Sequence, residues 1–176
     1  MSILVVYKSK YGSTKQYAKW ISEALECTVK DAKDVNCDEL LKYDTIIYGG
    51  GLYAEVINGI SLITKNFEKL SDKKIIVYTT GITPCDCRDY YDKLVIEKNF
   101  KPNMLEKIKI YNFPGKMVTE ELSLVHRTAL KTLKKIMSNK SNPTQMEKLL
   151  IDLCDINADL SDKNAIEELI GYIKQA

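Results

Sequence analysis

The chain has 176 residues, 45% of them hydrophobic and 28% charged, and its 26 basic and 24 acidic residues leave a net charge of +2. That length supports one domain whose core needs no disulfide or structural metal, and the composition excludes collagenous, low-complexity and disordered chains. So small a charge is too weak to imply a nucleic-acid partner, and no apolar run reaches the roughly 18–20 residues of a membrane span.

Strands and helices alternate along the chain. Ile3, Leu4, Val5, Val6 and Tyr7 form a short apolar run that predicts a buried strand over Ser2–Lys8. A polar turn at Ser9–Thr14 leads into a helical stripe of Tyr17, Ala18, Ile21, Ala24 and Leu25 within Lys15–Glu26. Cys27–Asp31 reads as a short second strand. Asp44–Gly49 reads as a third, running into Gly50 and Gly51. Ile60, Ile63, Phe67 and Leu70 predict a helix over Gly59–Leu70, and Lys74–Thr80 a fourth strand. A loop with Gly81 and Pro84 follows, then a short helix over Asp89–Lys98 and a fifth strand over Ile108–Phe113. Val118, Leu122, Val125, Ala129, Leu133 and Ile136 step by three and four, predicting an amphipathic helix over Glu120–Ser138. A break at Asn139–Pro143 precedes a shorter helix over Thr144–Leu153. A last helix carries Ile166, Leu169, Ile170 and Ile173, with Asp159 or Ser161 as its expected cap.

Near-continuous apolar strands alternating with helices imply an α/β fold with a parallel sheet covered on both faces. The whole of residues 1–176 reads as one domain, with residues 116–158 as a helical insertion before the last helix. Such sheets bind ligands at the carboxyl ends of their strands, at the point where the strand order reverses. Three loops leave carboxyl ends here: Ser9–Thr14, Gly49–Asn58 and Thr80–Arg88.

The first of these loops carries the strongest chemical signal. A helix N-terminus offers unpaired N–H groups and a positive dipole to a phosphate, hydroxyls of Ser9, Ser13 and Thr14 add donors, and Gly12 permits close backbone approach. The spacing is neither a Walker A loop nor a dinucleotide-binding glycine fingerprint. The alternative is purely structural: Ser13 as an N-cap, with Gln16 three residues on completing a capping box.

The string Val5-Val6-Tyr7-Lys8-Ser9-Lys10-Tyr11-Gly12-Ser13-Thr14-Lys15-Gln16-Tyr17-Ala18 resembles the phosphate loop of the flavodoxin-domain family. It is most similar to the branch that includes the bacterial flavodoxin-like protoporphyrinogen oxidase. Leu40–Tyr53, ending in Tyr48-Gly49-Gly50-Gly51-Leu52-Tyr53, resembles that family's approach to its second flavin loop. The likeness runs through roughly residues 1–115 and returns at the last helix. It implies a flavodoxin-like three-layer sandwich with strand order 2-1-3-4-5, binding FMN without a covalent bond. Ser9, Lys10, Tyr11, Gly12, Ser13 and Thr14 would surround the phosphate. Gly50, Gly51, Leu52, Tyr53 and Ala54 would approach the isoalloxazine, and Gly81, Ile82 and Thr83 would border its other side. Tyr53 is the candidate for stacking on the ring, with Tyr90 or Tyr91 from the third loop. Two departures stand out. The chain is slightly basic where electron-carrier flavodoxins are strongly acidic, and Glu55 stands where relatives commonly have a glycine nearby.

The implied function is an FMN-dependent redox or electron-transfer protein, whose partner is a redox protein or a small-molecule or quinone acceptor. One alternative is a quinone-linked protoporphyrinogen dehydrogenase. Another is a flavin-free interaction or signalling module on the same scaffold. No catalytic residue and no metal ligand is assigned. Cys85 and Cys87 lack the spacing of a CxxC motif and a second pair for a metal. His126, the only histidine, reads as a surface residue, and no Gly-x-Ser-x-Gly elbow supports a hydrolase. Arg127, Lys131, Lys134, Lys135 and Lys140 give the Glu120–Ser138 helix a basic side. The plain expectation is a solvated helix packed on the sheet by its apolar stripe; the alternatives are a membrane-surface or partner-docking element, with peripheral membrane contact, or an insertion that forms part of a substrate lid. Five cysteines, an odd number, and no secretory leader imply reduced thiols and a cytoplasmic location.

Overall fold

The computed structural model describes residues 2–82, 91–155 and 157–175. Five long strands form a parallel sheet: β1 (Ile3–Lys8), β2 (Thr28–Asp31), β3 (Thr45–Tyr53), β5 (Lys74–Gly81) and β6 (Ile108–Pro114). The short β4 (Val56–Ile57) turns back antiparallel on the end of β3. The order is β2-β1-β3-β5-β6, which is the expected 2-1-3-4-5 once β4 is set aside. Because the side-chain period of a strand is two, apolar runs serve both faces. Leu4, Val6, Ile46, Tyr48, Ile75 and Val77 enter one core, and Val5, Ile47, Ile76 and Tyr78 the other. Register keeps each set in line, with Leu4 opposite Ile46 and Ile46 opposite Ile75.

Helix α1 (Ser13–Leu25) covers the second face with Tyr17, Ala18 and Ile21, joined by Leu169 and Ile173 from the closing helix α4 (Glu167–Lys174). Among the described residues the other face is covered by short helical segments and turns. Within the expected Gly59–Leu70 helix, only Ser61–Thr64 is α-helical, followed by a 3-10 turn at Phe67–Leu70. The Asn66 amide donates to the Leu62 carbonyl at 2.8 Å, ending the first turn by competing for its acceptor. Ile63, Phe67 and Leu70 still reach the core, so the apolar spacing is satisfied without a continuous helix. Tyr91–Ile96 forms a π-helical segment that continues as Glu97–Asn99; residues 83–90 lie outside the described residues, and with them Tyr90, Cys85 and Cys87.

The chain leaves β1 toward β2 on one side, then returns to place β3 on the other. The strand order therefore reverses between β1 and β3, and their carboxyl ends, Lys8 and Gly50, lie side by side. After β6 come a short strand β7 (Lys116–Met117), helix α2 (Leu124–Ser138), helix α3 (Gln145–Cys154) and β8 (Ala158–Asp159), which pairs antiparallel with β7. The closing segment is capped by Asp162, whose carboxylate accepts from the Asn164 N–H, and not by Asp159 or Ser161. Asp159 instead accepts from the N–H of Ser161.

Candidate functional site

A cavity of about 610 Å³ opens at the carboxyl ends of β1, β3 and β5. The turn between β1 and α1 supplies Ser9, Tyr11, Ser13 and Thr14. The end of β3 supplies Gly51, Leu52, Tyr53 and Ala54, and the end of β5 supplies Thr80, Gly81 and Ile82. Three segments far apart in sequence thus meet where the topology predicts. Lys10, Gly12 and Gly50 are not among its lining residues, and Thr83 lies outside the described residues.

The first turn is built by backbone and hydroxyl together. Gly12 is the N-cap of α1 with φ 100, a conformation that costs other residues steric strain, and the space a side chain there would enter is empty. Ser13 is therefore the first residue of the helix and not its cap, so the capping-box arrangement does not form. Its hydroxyl accepts from the Lys116 N–H at 2.9 Å. The Ser9 hydroxyl accepts from the Gly12 N–H at 3.1 Å. Helix geometry leaves the N–H groups of the first turn of α1 without carbonyl partners, so donors and dipole converge there. Thr14 is buried, its hydroxyl 2.7 Å from that of Thr80 and its carbonyl held at 2.9 Å by the Tyr78 hydroxyl. One proton serves the Thr14–Thr80 bond, leaving one hydroxyl donor of the pair for a ligand.

The second segment differs from a glycine loop. Gly49, Gly50 and Gly51 lie inside β3, paired with Tyr78, Thr79 and Thr80 of β5. Their bareness serves packing first. A Cβ on Gly49 would stand 2.0 Å from the Tyr78 ring, and one on Gly50 would stand 2.5 Å from Ile57. The turn to β4 is made by Ala54 and Glu55, both at positive φ, 48 and 67. Two such residues in a two-residue hairpin give a type I′ turn, which favours Gly, Asn or Asp. The strain is clamped from outside. Lys98 donates to the Ala54 carbonyl and pairs with the Glu55 carboxylate, while Asn99 donates to the Glu55 carbonyl at 2.7 Å and accepts from the Ile57 N–H at 2.9 Å. Backbone held away from its preferred region by several contacts, at the rim of a cavity, is a common device of ligand sites.

The roof of the cavity comes from the insertion, in line with the lid alternative, but the residues that form it were not legible in the sequence. Leu122, His126, Ala129, Leu130 and Leu133 line it from above, together with Met117. The 122–136 stripe therefore does not pack the helix down on the sheet. Of α2 only Met137 is buried. His126, expected at the surface, faces the site instead. Its Nδ1 lies 2.7 Å from the Tyr11 hydroxyl, and its ring stands 5.7 Å from that of Tyr11 and 5.0 Å from that of Tyr53. The Tyr11 hydroxyl also accepts from the Ser123 N–H at 3.3 Å, and Lys10 donates to the Ser123 hydroxyl at 3.4 Å. Ser123 is the N-cap of α2, so the first turn of the site is tied to the start of its roof. The only advance signal was that His126 sits one helical turn from Leu122 and from Leu130, on one face.

Electrostatics separate the three rings. Burial opposes ionisation of Tyr11, but hydrogen bonds from Ser123 and Lys10 outweigh it and hold the phenol below its ordinary value. Burial, and then the ionisable neighbour Tyr11, push Tyr53 up to about 12, so it stays neutral. Burial and the charge of Lys10 lower the pKa of His126, favouring a neutral imidazole beside the Tyr11 hydroxyl. Among the described residues no cluster of His, Cys, Asp and Glu is arranged to hold a metal, and no helix is long and apolar enough to cross a membrane.

The sequence model of a family described as "Flavodoxin domain" matches residues 4–144. Among solved structures, a flavodoxin from the domain Archaea aligns at 18% identity, over 88% of this chain and 97% of its own, with a TM-score of 0.44. The Trp repressor binding protein from Bacillus subtilis aligns at 14% identity, over 66% and 84%, with a TM-score of 0.46. The two-electron reduced flavodoxin of Megasphaera elsdenii aligns at 16% identity, over 88% and 99%, with a TM-score of 0.41. A comparison with curated proteins gives no match. The family match covers the greater part of the chain, including two of the three segments at the cavity in full and the third as far as it is described, and the chain belongs to the flavodoxin-domain family.

Proposed function

We propose that this chain binds FMN and works as a flavin redox protein. The observation that carries this reading is the meeting of the β1–α1 turn, the end of β3 and the end of β5 around one cavity at the reversal of strand order. The residues suit the group. The first turn of α1 offers N–H donors with open space beside Gly12 for a phosphate, and Thr14 with Thr80 adds a hydroxyl. Leu52, Tyr53, Ile82 and the roof residues Leu130 and Leu133 offer apolar surface for a planar ring system. When bound, the isoalloxazine supplies the electron chemistry, and the protein supplies binding, orientation and the surrounding field. In this reading Ser9, Tyr11, Ser13 and Thr14 hold the phosphate end, while Gly51, Leu52, Tyr53, Ala54, Gly81 and Ile82 hold the ring. Lys10 acts on the site through Ser123, Gly12 through the backbone it frees, and Gly50 through packing. Tyr11 and His126 keep a shared proton at the rim, and the roof limits the access of water.

A covered ring suits a small electron acceptor or donor, such as a quinone, better than a protein docking directly on the flavin edge. The roof formed by Leu122, Ala129 and Leu133 favours that version. We place the protein in the cytoplasm as one domain, with residues 116–158 as the insertion that builds the roof. The test is the visible spectrum of the purified protein, before and after adding FMN. Yellow protein, or tight uptake lost on Ser13→Asp or Thr14→Asp, supports the reading, because a carboxylate there repels the phosphate. No uptake at saturating FMN overturns it and leaves the flavin-free module.

A further inference from the structure

Helix α2 has a second apolar face that is left exposed among the described residues. Leu124 is 78% exposed, Val125 75%, Ile136 57% and Leu133 46%. With Thr128 and Thr132 between them they line a shallow apolar groove on the outside of the helix, beside the inner face that roofs the cavity. At 100° per residue, Lys131 and Lys135 fall along one edge of this groove, and both are exposed. The helix has no Asp or Glu anywhere from Leu124 to Ser138. An exposed aliphatic stripe flanked by lysines, on an element tied to the rest of the protein by its inner face, is the arrangement of a helix lying in a membrane interface.

We propose that the outer face of α2 docks this protein on an anionic lipid surface. The charge selects the partner: an all-basic helix is attracted to anionic headgroups. The same charge disfavours a second copy, because pairing two of these faces brings lysines against lysines. The stripe also lacks the Trp, Tyr and Arg anchors that dominate protein interfaces. The one arginine of the helix, Arg127, is turned back on the Glu120 and Leu122 carbonyls. Leu124, Val125 and Ile136 would enter the boundary between headgroups and acyl chains while Lys131 and Lys135 meet the phosphates. Leu133 and Ala129 belong to both the groove and the cavity, so the docked face adjoins the opening of the site.

Co-sedimentation of the full chain with vesicles tests this. Vesicles of phosphatidylglycerol and phosphatidylcholine in equal parts should carry the protein down at low salt, and pure phosphatidylcholine vesicles much less. Lys131→Glu with Lys135→Glu should lower the partition coefficient at least about tenfold. Leu124→Gln, Val125→Gln and Ile136→Gln together should abolish binding while far-UV circular dichroism stays unchanged, since these side chains are exposed. Failure of the wild type to bind overturns the proposal, as does equal binding by the variants. A concentration-dependent dimer that the triple variant loses, with no vesicle binding, also overturns it and assigns the face to a second copy. None of these readouts depends on flavin binding.

Discussion

Tyr11 is the residue on which two parts of the site meet, because its hydroxyl reaches both His126 and Ser123 from the turn that begins α1. The neutral imidazole opposite it follows from burial and from the charge of Lys10. The sign of the pH effect is fixed by that direction. A folded value below the ordinary one means that the unfolded chain binds the proton more tightly. The contribution of His126 to stability is therefore present above its unfolded value of about 6.5 and is lost as pH falls through the lower folded value. Lys10→Met should move the His126 midpoint upward, as read from its ring protons by NMR; an unmoved midpoint would show that the charge of Lys10 is not felt there. Thr14→Val keeps the volume but leaves the Thr80 hydroxyl without its partner in a buried place. It should cost about 1–3 kcal/mol in denaturant unfolding. The residue types of the first turn were readable in advance. The pairing of Tyr11 with His126 was not, since it joins residues 115 apart.

At the scale of elements, β3 and its turn carry the unusual features. Gly49 lies against the buried ring of Tyr78, so Gly49→Ala should destabilise the protein by about 3 kcal/mol through overpacking, measured by thermal or denaturant unfolding. The Ala54–Glu55 turn points the other way. Ala54→Gly removes the left-handed strain of an alanine at φ 48 without losing a side-chain hydrogen bond, and should stabilise the fold by about 1 kcal/mol. A loss of stability instead would mean that the Lys98 and Asn99 clamp has already relaxed the turn. The apolar run of β3 was plain from the sequence, but its extension through three glycines to Tyr53 was not. Glycines favour a loop locally, and only the partners Tyr78, Thr79 and Thr80 of β5 on one side and Tyr7 and Lys8 of β1 on the other hold them extended. The Gly59–Leu70 helix failed in the opposite way: its apolar spacing was met by two short turns, because Asn66 competes for the backbone acceptor that a continuous helix needs.

For the whole molecule, occupation of the cavity should act on folding. A ligand that binds only the native state stabilises it by mass action, so FMN at a hundredfold excess over its dissociation constant should add about 2.7 kcal/mol to unfolding. An unfolding curve indifferent to FMN would count against the proposed site. The two cores and the position of the cavity at the strand ends follow from the alternation of apolar strands and helices, because each pattern states which faces must be buried, while the strand order came from the family resemblance. These two the sequence determined by itself, along with the hydroxyls and the glycine of residues 9–14. Only the tertiary structure decided what α2 does. Its spacing shows an amphipathic helix, and periodicity reveals that an apolar face exists but not what covers it. The arc is broad enough to serve twice, with one edge roofing the cavity through Leu122, His126 and Leu130 and the other left open through Leu124, Val125 and Ile136. That division depends on where the helix comes to rest after β7 pairs with β8, a contact between residues about forty apart that no local pattern encodes.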